Sequence, residues 1–164
     1  PCVALAFDAE ITLARSGSSR SVPASSFFTT MLTTVREPDE LVTEVAFDTG
    51  FDTWGFYEFA RRHGDFAVIA VVVAARTENG IVADARISLA GAGDRPLRVP
   101  HAESILEGHP LTAESARAAA DAAAEAVDPL GDIHGSAEYR RELVRVGVER
   151  ALLDAGGRAE EDTV

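Results

Sequence analysis

Only one cysteine, Cys2, occurs in the 164 residues. No internal disulfide can form from it, and no iron–sulfur cluster would find its thiolate ligands. Long apolar runs are missing too: the longest, residues 66–75, is interrupted by Arg76, well short of the ~18 apolar residues of a membrane helix. No basic segment leads into an apolar one as in a secretory leader, so a cytoplasmic location is expected. Positive charge is scarce, with 15 Lys+Arg against 27 Asp+Glu and a net charge of −12. That balance excludes a surface built to neutralise the phosphates of nucleic acid or an anionic membrane. Metal-ligand spacing is absent as well, because His63, His101, His109 and His134 lie far apart without an i,i+4 pair or a cysteine partner. The acidic run Glu160-Glu161-Asp162 reads as a solvated, frayed end.

What is present is an ordinary globular composition, 46% apolar, enough for one good core or two small ones. Residues 54–76 hold most of the information: an aromatic segment, a polar turn Arg61-Arg62-His63-Gly64-Asp65, and an uncharged run over residues 66–75. Val68, Ile69, Val71, Val72 and Val73 are β-branched, so the run predicts a strand buried on both faces, with Ile69 and Val71 expected on opposite faces. Asn79-Gly80 predicts a type I′ hairpin turn, since both residues tolerate positive φ. In the returning strand, Ile81, Ala83, Ala85, Ile87 and Leu89 alternate against Asp84, Arg86 and Ser88, which predicts a half-buried strand.

Residues 1–7 start in mid-pattern, as in a chain cut inside a domain. Residues 10–14 and 20–22 predict a hairpin around Ser16-Gly17-Ser18-Ser19. A helical turn follows Pro23, Pro38-Asp39-Glu40 makes another turn, residues 41–47 return as a strand, and residues 48–53 form a linker. The helices come last. Residues 102–107 form a short one before Gly108. Thr112 caps a second, alanine-rich helix that reaches residue 126 and packs closely on its neighbours. A third starts at Ser136 and is expected to stop near Leu153, ahead of Gly156-Gly157. Its apolar stripe is Tyr139, Leu143, Val144, Val146, Val148, Ala151 and Leu152, with Arg140, Arg141, Arg145 and Glu149 on its polar side. Strands followed by helices predict an α+β fold: a small antiparallel sheet of about three strands with C-terminal helices on one face.

The segment Phe56-Tyr57-Glu58-Phe59-Ala60-Arg61-Arg62-His63-Gly64-Asp65-Phe66-Ala67 resembles the C-terminal domain of the FAD-binding medium subunit of molybdenum hydroxylases, the xanthine and carbon monoxide dehydrogenase type. Three further stretches are similar in the same order: Val22-Pro23 with Glu37-Pro38-Asp39-Glu40-Leu41-Val42, then Ile87-Ser88-Leu89-Ala90-Gly91-Ala92-Gly93, and last Asp132-Ile133-His134-Gly135-Ser136-Ala137-Glu138-Tyr139-Arg140-Arg141. The resemblance implies two pieces, residues 1–50 as the residual end of an FAD-binding domain and residues 53–164 as the flavoprotein C-terminal-like domain. It also implies that the chain is a C-terminal fragment, with FAD in the complete subunit and the molybdenum cofactor and [2Fe-2S] clusters confined to partner subunits. Four positions are implied near the flavin: Val42 as an aliphatic contact, and Phe56, Tyr57 and Glu58 around the aromatic and lysine of the family pattern. That lysine is missing, and Glu58 brings the opposite charge. On the bland reading Phe56 is core, while Tyr57 and Glu58 are exposed strand positions.

No glycine-rich loop leads into a helix as a pyrophosphate cradle would. Gly91-Ala92-Gly93 leads instead to Asp94-Arg95-Pro96 and reads as a turn. Asp65 is expected to order the Arg61-Arg62 turn. Asp132, His134 and Ser136 contain the residue types of a hydrolytic triad, yet Ser136 serves better as a helix cap and Asp132 and Glu138 as first-turn acids. The resemblance implies an electron-transfer role: part of an FAD subunit passing electrons from iron–sulfur clusters to an acceptor, and inactive alone. The competing readings are a cofactor-free interaction or scaffold module with the same fold, which the missing lysine and glycine loops would suit, and a small hydrolase.

Overall fold

The structure, a computed structural model, describes residues 1–62 and 64–161; His63 and Asp162 lie outside the described residues. Residues 2–6, read above as a start in mid-pattern, form a short helix, α1 (Cys2–Ala6), which buries Cys2, Ala4, Leu5 and Ala6. No side chain caps it; the burial of small apolar side chains holds it in place. The expected hairpin follows as β1 (Glu10–Arg15) and β2 (Ser18–Pro23), in antiparallel register with Leu13 opposite Arg20. Then come a helical turn, α2 (Ala24–Phe27), two short strands, β3 (Phe28–Thr30) and β4 (Thr33–Thr34), and β5 (Leu41–Ala46). The sheet order is β2-β1-β5. Leu5, Ile11, Leu13, Val22 and Phe27 form its core, while every residue of the edge strand β5 is exposed.

The second sheet is built from β6 (Thr53–Phe59), β7 (Ile69–Glu78), β8 (Ile81–Ala90) and β9 (Leu97–Arg98), in that order. It has four strands rather than three, because Ser88 and Leu89 pair with Arg98 and Leu97. The β7–β8 turn is as expected, with Asn79 at φ 55° and Gly80 at φ 78°. Three details differ from the sequence reading. β7 begins at Ile69, and Phe66 is 94% exposed in the preceding loop; absence of charge does not by itself make a strand. Ile69 and Val71 share one face, as the two-residue period requires, and sit in the main core with Val73 and Ala75. Val72 takes the opposite face, against Cys2 and Ala6 of α1. In β8 a bulge opposite Arg76 and Thr77 shifts the register, so that Val82 is buried while Ile81 and Ala83 face solvent.

The helices are α3 (Pro100–Leu106), α4 (Ala113–Ala126) and α5 (Ala137–Glu161). Thr112 and Ser115 form a reciprocal capping box on α4. Six alanines of that helix are buried, as its close packing requires. The hydroxyl of Ser136 accepts from the Tyr139 amide (3.1 Å) at the start of α5. All three helices lie on the core face of the second sheet; α1 packs on the other. α5 does not stop at Gly156-Gly157 but continues to Glu161. Tertiary contacts override the weak propensity of glycine there: Thr53 Oγ1 donates to Ala155 O (2.6 Å), and the Arg158 guanidinium lies 4.0 Å above the Trp54 ring. Arg140, assigned above to the polar side of α5, is buried. No helix among the described residues is long and apolar enough to cross a membrane.

Candidate functional site

Alternation along β6 decides which side chains reach the open face of the second sheet. Gly55 faces α5 at so short a distance that a Cβ would lie 1.8 Å from Ala151 O. Tyr57 faces the same way, with the Arg150 guanidinium 5.3 Å from its ring centroid. Trp54, Phe56 and Glu58 therefore point to the opposite face. Phe56 is 49% exposed there, at one side of a cleft of about 420 Å³. Ala70, Val72 and Ala90 lie along the cleft, which α1, Met31 and the loop over residues 91–96 also line.

The cleft exists because the N-terminal unit is fastened across this face. Arg95 Nη1 donates to Thr29 O (2.7 Å), and Thr30 Oγ1 donates to Asp94 (2.9 Å). Asp8, in the left-handed region at φ 41°, accepts from Arg86 Nε (2.9 Å) and Arg98 Nη1 (3.1 Å). Arg98 in turn pairs with the buried Glu103 (2.7 Å), which also accepts from the Ile87 amide (2.8 Å). Arg86 continues to Asp84, and Arg76 links Asp84 to Asp48 of the linker. The Phe51 ring lies beneath Arg76 and edge-on to Phe7. At the far wall Gly91 is required, since a Cβ there would lie 2.1 Å from Val68 O.

Of the four residues singled out from the sequence, only Phe56 lines the cleft. Val42 is exposed on β5 in the other sheet, Tyr57 packs toward α5, and Glu58 is exposed on the same face as Phe56 but outside the cleft lining. The bland assignment is thus reversed for the two aromatics: Phe56 is open and Tyr57 is packed. Ala70, Val72, Ala90 and Met31 were not singled out because apolar side chains carry no chemical signature. The even positions of β7, which a two-residue period sets against the core face, were a signal that could have found Ala70 and Val72.

The polar candidates settle into structural roles. The Cys2 thiol is buried, and desolvation pushes its pKa up, which makes it a poor nucleophile. Asp132 Oδ1 accepts from the His134 and Gly135 amides (2.8 and 3.1 Å), and its Oδ2 accepts from Arg140 (2.8 Å). It closes a turn ahead of α5 rather than sitting in the first turn. The His134 ring meets Arg61 (3.3 Å), so the three residues form no hydrolytic relay. Asp65 orders its loop through its side chain, which accepts from the Phe66 amide (2.9 Å), and its own amide, which donates to Arg62 O (3.2 Å). Among the described residues no group of three His, Cys, Asp or Glu could hold a metal ion.

The class is defined by an α+β fold whose antiparallel sheet carries helices on one face and an apolar cleft on the other. The chain belongs to the family of the CO dehydrogenase flavoprotein C-terminal domain, which matches residues 54–155. It is 37% identical over 96% of its length to the nicotine 6-hydroxylase medium subunit of Paenarthrobacter nicotinovorans, covering 56% of that protein. Its fold superposes on a chain of carbon monoxide dehydrogenase from Hydrogenophaga pseudoflava with a TM-score of 0.89 and 34% identity, over 96% of this chain and 56% of that one. For a chain of quinoline 2-oxidoreductase from Pseudomonas putida 86 the values are 0.90 and 30%, over 97% and 56%. The chain thus spans about half the length of the relatives it matches.

Proposed function

We propose that this chain is part of the FAD-binding medium subunit of a cytoplasmic molybdenum hydroxylase. It would cover one side of the flavin and dock against the molybdenum and iron–sulfur subunits. The observation that carries this reading is the likeness to a carbon monoxide dehydrogenase chain over 96% of this chain, together with the flavoprotein family matched by its C-terminal domain. The flavin, when bound, supplies the electron-accepting chemistry between the iron–sulfur clusters and the final acceptor. This chain's own residues supply packing and electrostatics.

The open face fits the ring end of such a group. Phe56 is half exposed beside Ala70, Val72 and Ala90, an arrangement suited to an aromatic edge. The pyrophosphate end has no counterpart among the described residues. Val42 and Tyr57, which the resemblance placed near the ring, stand outside the cleft. Glu58 shares the face of Phe56, and the chain contains no lysine, so no lysine ammonium of these residues stabilises negative charge there. That feature also favours the second reading, a cofactor-free docking module. Glu58→Lys in the full-length natural protein tests the placement: the flavin midpoint potential should rise, because a cation beside the ring favours its reduced anion. An unchanged potential would remove Glu58 from the flavin's surroundings.

A further inference from the structure

The first sheet carries its core on one face, and the cover of that face stops one strand short. Residues directly opposite each other in an antiparallel pair point to the same side. One row across the sheet runs from Val22 through Ile11 to Val45, and the next from Arg20 through Leu13 to Val42. Val22 and Ile11 are 8% and 3% exposed and Leu13 is fully buried, in one cluster with Leu5 of α1 and Phe27 of α2. In the same rows Val45 is 41% and Val42 45% exposed, and neither joins that cluster. A bulge opposite Thr12 and Leu13 lets the two valines, three apart in sequence, share the core face.

The uncovered surface is apolar. Glu44 lies opposite Thr12, on the other face of the sheet. The charges next along the core face are paired with acids of the turn before β5: Arg20 with the buried Glu40 (2.7 Å), and Arg15 with Asp39 (3.6 Å). In the sheet order β5 is also an edge strand, and it contains neither proline nor lysine, the residues with which open edges are commonly blunted. Three short strands under helices of five and four residues make a marginal unit by themselves. The half-open core calls for a further apolar layer over β5.

We propose that the segment preceding residue 1 in the full-length natural protein is that layer, closing the core over β5 with Val45 as its central contact. The inference rests on the reading of these residues as the C-terminal part of a medium subunit. They cover 56% of the relative from Paenarthrobacter nicotinovorans, and the matched family model is that of a C-terminal domain, at residues 54–155, so the rest of a subunit of that length precedes residue 1. A covalently attached segment also has the advantage over separate polypeptides for such a surface, because its effective concentration is of about millimolar order for a short connection. The test places a photo-crosslinking phenylalanine analogue at position 45 of the full-length natural protein in its complex or, as a control, at Ser19, exposed on the opposite face of β2. Light should join position 45, and not position 19, to residues preceding position 1 of the same polypeptide, read by peptide mass spectrometry and by an unchanged polypeptide mass on denaturing gels. Val45→Asp should lower the Tm of the full-length protein by about 5 °C or more, since it buries a carboxylate, whereas Ser19→Asp should leave it within ~2 °C. A crosslink from position 45 to another polypeptide, to a second copy, to bound FAD or only within residues 1–164 would overturn the proposal, as would the absence of any crosslink or an unchanged Tm for Val45→Asp. A full-length protein with no residues before position 1 would remove the reading itself and this contact with it, while a complex without flavin would count against the proposed function and leave the contact standing.

Discussion

Two glycine-to-alanine substitutions, one where β6 meets α5 and one on an open side of α5, should move stability in opposite directions. Gly55 sits where β6 touches the helix backbone, and an added Cβ would lie 1.8 Å from Ala151 O and 2.7 Å from its carbonyl carbon. Neither atom belongs to a flexible side chain, so the helix must lift from the strand. Overpacking of this kind costs about 1–3 kcal/mol and sometimes more, and a backbone-on-backbone clash belongs at the top of that range. At about 2–4 °C per kcal/mol for a chain of this size, Gly55→Ala should lower Tm by ~6 °C or more. Gly157 is the counterpart: nothing lies within 4 Å of its added Cβ, and it stands inside α5. Alanine there should gain about 0.5–1 kcal/mol of helix propensity, raising Tm by roughly 1–4 °C. Thermal unfolding followed by far-UV circular dichroism reads both. A Gly55→Ala protein as stable as the parent would contradict the packing of α5 on β6, and a neutral or destabilising Gly157→Ala would mean that the helix ends where its glycines first suggest.

Stability should also depend on pH through Glu40. Arg20 holds this carboxylate with two hydrogen bonds (2.7 and 2.8 Å), and the Glu37 amide adds a third (2.8 Å), lowering its pKa from 4.5 to about 2. A depressed folded pKa contributes stability that is complete above the unfolded value and is lost as pH falls from about 4.5 toward 2; Glu40→Gln should flatten that part of the Tm profile. Cys2, buried and with its thiol pKa raised, should resist a disulfide reagent in the native protein and react at once in denaturant, and rapid native reaction would show that α1 is not seated on the sheet. The 164-residue chain alone, titrated with FAD and followed by flavin fluorescence, should show no saturable micromolar binding, because stacking on Phe56 contributes only about 1 kcal/mol beyond burial against the cost of immobilising a large ligand. Saturation in that range would place a complete flavin site within these residues.

The turns and caps were legible in the sequence because each depends on a few adjacent residues. Asn79-Gly80, Thr112 as the cap of α4, and Ser136 at the start of α5 all have local causes; the reciprocal bond from Ser115 emerged only in the structure. Where α5 ends was not legible, because the contacts that carry it through Gly156-Gly157 come from Thr53 and Trp54, a hundred residues away in sequence. The β8 bulge was hidden for a similar reason: Val82 and Ala83 look interchangeable until the pairing with β7 shifts their register. At the site, Phe56 could be picked out as an aromatic beside a family pattern, but its side of the sheet is decided by the absence of a side chain at Gly55. The buried role of Arg140 was masked by its charge, since an arginine on a helix reads as solvent-facing unless its partners, here Val68 O, Gly91 O and Asp132, are known.

The most direct test of the proposed function is the flavin content of the complex isolated through this chain's full-length natural protein, measured by absorption spectrum and by extraction and quantification of the cofactor. An FAD-binding medium subunit predicts a flavin band and about one FAD per copy; a complex that assembles normally yet yields no flavin would contradict that account and leave the cofactor-free docking module in its place.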